Sequence, residues 1–134
     1  MQSIEITLPM PPSLHQYYGH RNRRIYVTKK GREYKSSVAL EVAVSGLLPL
    51  YEYSGKGEPK KPAQTAFSQA RVGVSVLVVG KGRNWDLDNR MKALLDSMEG
   101  WIYDDDAQID VLHVERASCP RHQEPHVVVN VYQC

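Results

Sequence analysis

The residues best suited to chemistry are acidic groups concentrated in one short part of the chain. Asp86 and Asp88 stand close together, Lys92 and Asp96 follow at intervals of four residues, and Asp104–Asp106 comes soon afterwards. Several carboxylates in one place repel each other, and a bound metal ion relieves that repulsion. Oxygen ligands suit Mg²⁺ or Mn²⁺, and such an ion can activate water and stabilise charge while a phosphodiester is cleaved.

Each of these features also has a simpler explanation. Aspartate and asparagine favour helix N-termini, so a capping role alone would explain Asp86 or Asp88. The run Asp104–Asp106 can be a solvated turn, and Lys92 can be an ordinary exposed residue of a helix. Taken one at a time, these residues leave the structural and the catalytic interpretation open.

The distribution of charge favours the catalytic interpretation. Residues 86–110 contain eight acids and two bases, which leaves 15 bases and seven acids in the rest of the chain. A basic surround attracts polyanions such as DNA, whereas an acidic focus repels them unless it holds metal ions. The two together indicate a nuclease better than either does alone.

A basic segment near the N-terminus is the second candidate functional feature. Residues 21–35 contain seven bases and one acid, with Tyr17, Tyr18 and Tyr26 nearby. Basic groups neutralise phosphates and aromatic rings stack on unpaired bases, although a solvated helix entry with tyrosines in the core is an equal alternative. The candidate DNA-binding residues are Arg21, Arg23, Arg24, Lys29, Lys30 and Arg83.

Length and composition predict one soluble domain over residues 1–134. The chain is 42% hydrophobic and 24% charged, which is typical of a globular protein. No apolar run approaches the roughly 20 residues of a membrane helix, so no membrane association is expected. The first residues lack the features of a signal peptide, which predicts a cytoplasmic location.

Hydrophobic periodicity predicts the elements of the first half of the chain. Residues 4–8 alternate as a strand does, and Arg24–Val27 is a possible short strand. A helix with apolar positions at helical spacing runs from Tyr34 to about residue 46, and Thr28 can cap it. Residues 51–70 form a long loop rich in Gly, Pro and Lys, typical of a mobile surface element or a partner contact.

The second half of the chain contains the candidate site. Residues 72–79 are a β-branched run typical of a central strand buried on both faces, followed by a helix from about Asp88 to Glu99. On that helix Asp88, Lys92 and Asp96 would line one flank. Strands at 108–116 and 126–132, expected to be antiparallel, complete a β(β)αβαββ order. The order predicts an α+β (α/β-like) domain with a mixed sheet of four to five strands and two main helices.

Three stretches resemble the RusA family of Holliday junction resolvases from bacteria and phages. The strand and proline turn at residues 6–13 match the family's opening, and residues 17–34 match its basic segment. The most specific match is the Asp86–Asn89 motif with Lys92, followed by Asp-Asp-Ala-Gln at 105–108.

The resemblance implies a homodimer that binds four-way DNA junctions and makes paired symmetric nicks with Mg²⁺, or with Mn²⁺ as a substitute. The family's three essential aspartates fall on Asp86, Asp88 and Asp106, and its essential lysine falls on Lys92. Acidic counterparts also fall on Asp96 and Asp105, which are then possible supporting ligands. We therefore expect Asp86, Asp88 and Asp106 to bind the metal and Lys92 to assist catalysis.

Two rival functions remain at the level of sequence. One is a nuclease that acts on other branched DNA, and the other is a junction-binding architectural protein without catalysis. A phosphohydrolase for small substrates is disfavoured by the basic, aromatic N-terminal segment. Metal binding through the aspartates would separate an enzyme from an architectural protein.

Overall fold

The computed structural model describes residues 3–82 and 84–134, which form an α+β domain. Two main helices and a short one accompany a four-stranded sheet and a separate hairpin, as the sequence predicts for its fold class. The elements in chain order are β1 (Ser3–Pro9), α1 (Leu14–Tyr17), β2 (Tyr18–Arg21), β3 (Arg24–Val27), α2 (Lys29–Val44), β4 (Val72–Gly80), α3 (Met91–Met98), a 3₁₀ turn (Asp106–Gln108), β5 (Ile109–Ser118) and β6 (His126–Gln133).

The main sheet is mixed and has the strand order β1-β6-β4-β5. β4 lies inside the sheet, as predicted, with β6 antiparallel on one side and β5 parallel on the other. A parallel pair needs a crossover connection, and the segment containing α3 supplies it. The predicted final strands do run in opposite directions, but β4 separates them.

One face of this sheet forms the core against α2 and α3. Val129 on β6 pairs with Ile6 on β1 and with Val76 on β4, and all three residues are buried. The prediction that β4 is buried on both faces is wrong in its middle, because Ser75 and Leu77 are only half-buried. These two residues belong to a face that also carries polar Glu5 and Asn130.

Helix α2 begins five residues earlier than its apolar spacing indicates. The Thr28 side chain accepts a hydrogen bond from the Gly31 backbone N–H at 3.1 Å, which confirms Thr28 as the cap. The helix therefore includes Lys29 and Lys30 in its first turn, and both side chains are exposed.

Helix α3 is shorter at its N-terminus than predicted. It spans Met91–Met98, so Asp88 lies outside it and the expected alignment with Lys92 and Asp96 on one helix flank is wrong for Asp88. The N-cap residue is Arg90, which makes no side-chain capping bond, so neither Asp86 nor Asp88 caps this helix. Instead, the Met91 N–H donates to the Asp88 carbonyl at 3.1 Å in a turn that precedes the helix.

The segment before α3 is held against the N-terminal part of the chain. Asn89 accepts hydrogen bonds from the Leu14 N–H through its backbone oxygen, at 2.9 Å, and through Oδ1, at 3.3 Å. Arg90 donates from Nη1 to the Pro11 carbonyl at 2.6 Å. The Asn89 of the sequence motif therefore has a structural role.

Within the described residues, no helix is long and apolar enough to cross a membrane.

Candidate active site

Lys92, in the first turn of α3, lies between two carboxylates. Its Nζ is 2.9 Å from Asp96 Oδ1, one helical turn later, and 3.6 Å from Asp106 Oδ2, in the 3₁₀ turn that follows the helix. The Lys92 side chain is 43% exposed and the Asp106 side chain 38% exposed, whereas the Asp96 side chain is only 14% exposed. Lys92 and Asp106 are thus accessible to a substrate, whereas Asp96 is largely buried.

Three carboxylates converge at this point, and we call Asp96, Glu99 and Asp106 the acidic cluster. One oxygen from each lies within 4.8 Å of the other two. Glu99 also accepts a hydrogen bond from the Asp106 N–H at 3.1 Å, which fixes the turn relative to the end of the helix. The donor set consists of oxygen atoms only, which fits Mg²⁺ or Mn²⁺.

The other two aspartates of the 104–106 run have structural partners. Asp104 accepts hydrogen bonds from the Thr65 hydroxyl at 2.7 Å and from the Gln69 N–H at 3.2 Å. These hydrogen bonds lower the pKa of Asp104, and the bond from the Thr65 hydroxyl has the largest effect. Asp105 caps the 3₁₀ turn through the Ala107 N–H at 2.9 Å, the main cause of its own lowered pKa. Only Asp106 of the three joins the acidic cluster.

The structure does not bring Asp86 and Asp88 into the acidic cluster. Both lie in the segment between β4 and α3, and both are exposed. Among the residues that the structure describes, neither carboxylate has a hydrogen-bond or ion-pair partner. Their assignment as metal ligands therefore stays a prediction.

Trp85 anchors the segment just before Asp86. Its ring packs so closely on Gly80 that an added Cβ there would lie 2.7 Å from Trp85 Cζ2. Its Nε1 donates to the Gly82 carbonyl at 3.0 Å, and the Arg116 guanidinium lies 4.6 Å from the ring centroid. A glycine at the end of β4 is thus needed for close approach of the indole.

The predicted DNA-binding residues lie on two adjacent elements. Arg21, Arg23 and Arg24 surround the turn of the β2–β3 hairpin, and Lys29 and Lys30 open α2. All five are exposed. Arg83 lies outside the residues that the structure describes.

Charge and burial shape the protonation of the site. Burial, followed by the charges of Asp106 and Asp96, raises the pKa of Glu99, although the hydrogen bond from the Asp106 N–H opposes this. The hydrogen bond to Asp96 raises the pKa of Lys92, so this side chain is an ammonium ion at neutral pH. The cluster thus stores like-charge repulsion that a cation would relieve.

The sequence alone indicates no role for Glu99, and it predicts only base stacking or a place in the core for Tyr17 and Tyr18. Both tyrosine hydroxyls donate to Asp96 Oδ2, at 3.2 and 3.3 Å. Glu99 comes three residues after Asp96 and seven after Lys92, a spacing that places all three on one side of a helix. That spacing is the signal that could have identified Glu99.

An α+β domain with carboxylates gathered around a lysine, beside an exposed basic hairpin, is typical of a metal-dependent nuclease. The chain matches the family model described as endodeoxyribonuclease RusA over residues 9–132. It therefore belongs to the RusA family of endodeoxyribonucleases, and the predicted resemblance to this family is confirmed.

Curated relatives match over most of their length. The chain is 30% identical over 118 residues to the crossover junction endodeoxyribonuclease of Enterobacteria phage HK97, covering 87% of this chain and 84% of the relative. It is 31% identical over 110 residues to the crossover junction endodeoxyribonuclease RusA of Escherichia coli (strain K12), covering 81% and 78%. The phage 82 protein of the same name is 30% identical over the same length.

Proposed function

We propose that the protein is a divalent-metal-dependent endonuclease that resolves four-way DNA junctions by paired symmetric nicks during recombination and repair. The observation that carries the proposal is the Lys92 ammonium lying between Asp96 and Asp106 in a chain of the RusA family. The names of the relatives supply the substrate class, crossover junctions.

The proposed metal ligands are Asp86, Asp88 and Asp106, with Mg²⁺ as the cofactor and Mn²⁺ as a substitute. Glu99 is the neighbour of Asp106 best placed to contribute a further oxygen. When bound, the ion would supply an activated water and neutralise charge on the scissile phosphate. The clustering of carboxylates beside Asp106 supports a cation at this position, and the part of the raised pKa of Glu99 that comes, after burial, from the charges of Asp106 and Asp96 agrees with it.

Lys92 is proposed to act by charge rather than by moving a proton. Because the pKa of its amine is raised by Asp96, it remains an ammonium ion at neutral pH and is a poor general base. A fixed positive charge near the scissile phosphate stabilises the negative charge that develops on its oxygens. The Lys92 side chain is 43% exposed, which leaves it accessible to such a phosphate.

The basic hairpin and the start of α2 are proposed to hold the DNA backbone. Arg21, Arg23, Arg24, Lys29 and Lys30 are exposed and can neutralise phosphates. We include Arg83 in this set on the sequence alone.

We also propose a homodimer, because a junction has two-fold symmetry and two strands to cut. Acting on DNA of a bacterium or its phage, such an enzyme would work in the cytoplasm.

The test is cleavage of a synthetic four-way junction with and without Mg²⁺, beside a linear duplex of the same sequence. Wild-type protein should make paired, metal-dependent nicks in the junction only. Asp88→Asn should abolish cleavage while junction binding is kept or improved, because a charge that repels phosphate is removed. Asp110→Asn is the control, since Asp110 pairs with Arg71 outside the acidic cluster and should leave cleavage intact.

The outcomes separate the rival functions. Junction binding without cleavage under any divalent metal would favour an architectural protein. Cleavage of flaps and forks as fast as four-way junctions would favour a nuclease for branched DNA in general. Loss of binding together with cleavage in Asp88→Asn would argue against a chiefly catalytic Asp88.

A further inference from the structure

Lys92 is held in place by a chain of hydrogen bonds that runs through Asp96 to Tyr17 in the core. A lysine side chain is flexible, so an ammonium group that must meet a phosphate at one position needs a fixed partner. Asp96 provides that partner at 2.9 Å, close enough for a charge-assisted hydrogen bond. The Asp106 contact, at 3.6 Å, is longer.

Asp96 is itself fixed by two tyrosines. Its Oδ2 accepts from the Tyr17 hydroxyl at 3.2 Å and from the Tyr18 hydroxyl at 3.3 Å. The two rings pack edge to face with centroids 4.8 Å apart, and Tyr17 is fully buried. Because Tyr17 is buried and packs against Tyr18, the Tyr17 hydroxyl has little room to move and fixes the position of the carboxylate.

The bonds of Asp96 leave it poorly suited to bind metal. Its Oδ1 faces the Lys92 ammonium, and its Oδ2 already accepts two hydroxyl donors. A carboxylate has about four acceptor sites, and the one left free here is on Oδ1, where a cation would lie beside the Lys92 ammonium and be repelled by it. Coordination through Oδ2 would displace a hydroxyl donor, and a buried hydroxyl without an acceptor is costly. Glu99 and Asp106 are less encumbered, since the hydrogen bond between them joins the Glu99 carboxylate to the Asp106 backbone N–H.

We infer that Asp96 is a positioning residue, held by Tyr17 and Tyr18, that fixes the Lys92 ammonium for the scissile phosphate and does not bind the metal. The inference rests on the catalytic role proposed for Lys92. It assigns Tyr17 and Tyr18, at the start of the basic hairpin, to the active site rather than to base stacking. It also separates Asp96 from the other members of the acidic cluster.

The first experiment measures metal binding without DNA or turnover. Mn²⁺ is titrated into wild-type protein, Asp96→Asn and Asp106→Asn. Its affinity is measured by calorimetry or by the electron paramagnetic resonance signal of free Mn²⁺. Asp96→Asn should bind Mn²⁺ as wild type does, whereas Asp106→Asn should bind it more weakly. Loss of affinity in Asp96→Asn as large as that in Asp106→Asn would make Asp96 a ligand and overturn the inference.

The second experiment is a double-mutant cycle on single-turnover junction cleavage. Asp96→Asn should slow cleavage by about 10- to 100-fold, as loss of an orienting partner typically does, with junction affinity unchanged. In a Lys92→Ala background the same change should add almost nothing, because the group that it positions is gone. Independent, multiplying losses would contradict the inference.

A milder variant protects the test against misfolding. Tyr18→Phe removes one donor to Asp96 from a half-buried ring, and it should slow cleavage less than Asp96→Asn, again only when Lys92 is present. Its thermal unfolding is compared with that of Tyr53→Phe, which removes a hydroxyl from the 51–70 loop. A Tyr18→Phe effect that persists without Lys92 would contradict the inference.

The proposed function and the inference fail in different ways. If Lys92→Ala cleaves junctions at the wild-type rate, the proposed role of Lys92 is wrong and the inference falls with it. If Lys92→Ala cleaves much more slowly than wild type but Asp96→Asn cleaves normally, the proposed function stands and the inference alone is overturned.

Discussion

At the scale of single residues, three consecutive aspartates have three different surroundings. Asp104 accepts hydrogen bonds from the end of the 51–70 loop, Asp105 caps the 3₁₀ turn, and Asp106 turns toward Lys92. One carboxylate type therefore serves loop attachment, turn formation and the candidate metal site. The backbone of this short turn decides which aspartate takes which task.

Gln108 holds that backbone in position. It is buried, and its Oε1 accepts from the N–H groups of Asp104, at 2.6 Å, and Asp105, at 3.0 Å. Its Nε2 donates to the carbonyls of Phe67 and Ala70, both at 2.7 Å. One side chain thus joins the turn that carries Asp106 to the end of the 51–70 loop.

We predict that Gln108→Leu lowers the free energy of unfolding by about 2–4 kcal/mol, because it leaves partly buried backbone groups without partners. The measurement is urea denaturation followed by circular dichroism. Gln64→Leu, the same change at an exposed position of the 51–70 loop, is the control and should have little effect. Equal stabilities of the two variants would show that the Gln108 bonds contribute nothing.

At the scale of elements, the β2–β3 hairpin presents arginines on a strained turn. The two turn residues, Asn22 and Arg23, both have positive φ, 50° and 64°. This conformation suits the two-residue turns of hairpins, but it is unfavourable for a side chain such as arginine. An arginine in such a place is consistent with a use outside folding, which supports its proposed contact with DNA.

We predict that Arg23→Gly separates stability from DNA binding. Glycine adopts positive φ without a Cβ penalty, so the free energy of unfolding should stay equal or rise by up to about 1 kcal/mol. Junction affinity should fall, and the slope of log affinity against log salt should decrease by about one. The measurement is fluorescence anisotropy over a range of salt concentrations.

Asn22→Gly is the matched control for that experiment. It changes the same turn in the same direction and removes no charge. Its junction affinity and salt slope should equal those of wild type. A comparable loss of affinity in Asn22→Gly would mean that turn flexibility, and not the Arg23 charge, is responsible.

The sequence predicts elements well where side-chain periodicity is strong. Alternation identified β1, and a β-branched run identified β4, because burial of one or both faces dictates those patterns. β2 was missed because its turn, Asn22–Arg23, lacks the glycine that usually marks a hairpin. The start of α3 was placed too early because aspartate and asparagine favour turns and helix caps alike.

The candidate site was predictable only in part, for a different reason. Lys92 and Asp106 follow from motif and charge, and the structure brings them within 3.6 Å. Glu99 and the two tyrosines join the site through packing of α3 against α1 and through the turn at 99–106. Contacts between residues that are about 80 positions apart, such as Tyr17 with Asp96, leave no mark in local sequence.

At the scale of the whole molecule, the α3 crossover arranges the site along one helix. The β4–α3 connection carries Asp86 and Asp88 before the helix, and the turn that carries Asp106 follows it. Because β4 and β5 are parallel, that turn lies at the opposite end of the pair from the end of β4. The helix that joins the two acidic segments thus also carries the lysine.

We predict that Mg²⁺ or Mn²⁺ stabilises the folded protein. An ion that binds only the folded state adds about 2.7 kcal/mol at a hundred times its dissociation constant. It would also relieve repulsion among the carboxylates around Glu99. The midpoint of thermal unfolding should therefore rise with metal concentration in wild-type protein.

Asp106→Asn tests whether that stabilisation arises at the acidic cluster. Its unfolding midpoint should respond much less to metal, while the response of Asp110→Asn should match wild type. A full metal response in Asp106→Asn would place the stabilising ion elsewhere. Differential scanning fluorimetry with and without a chelator measures all three proteins side by side.

The 51–70 loop has one consequence for anyone wishing to observe the protein at work. Its last residues are tied to Asp104 and Gln108, but Gly55 and Gly57 lie at an exposed tip with positive φ and open space around them. A dye attached through Lys56→Cys, after replacement of Cys119 and Cys134, would therefore extend from an exposed position with open space on both sides. The tip offers a fluorescent reporter of junction capture in single-molecule recordings.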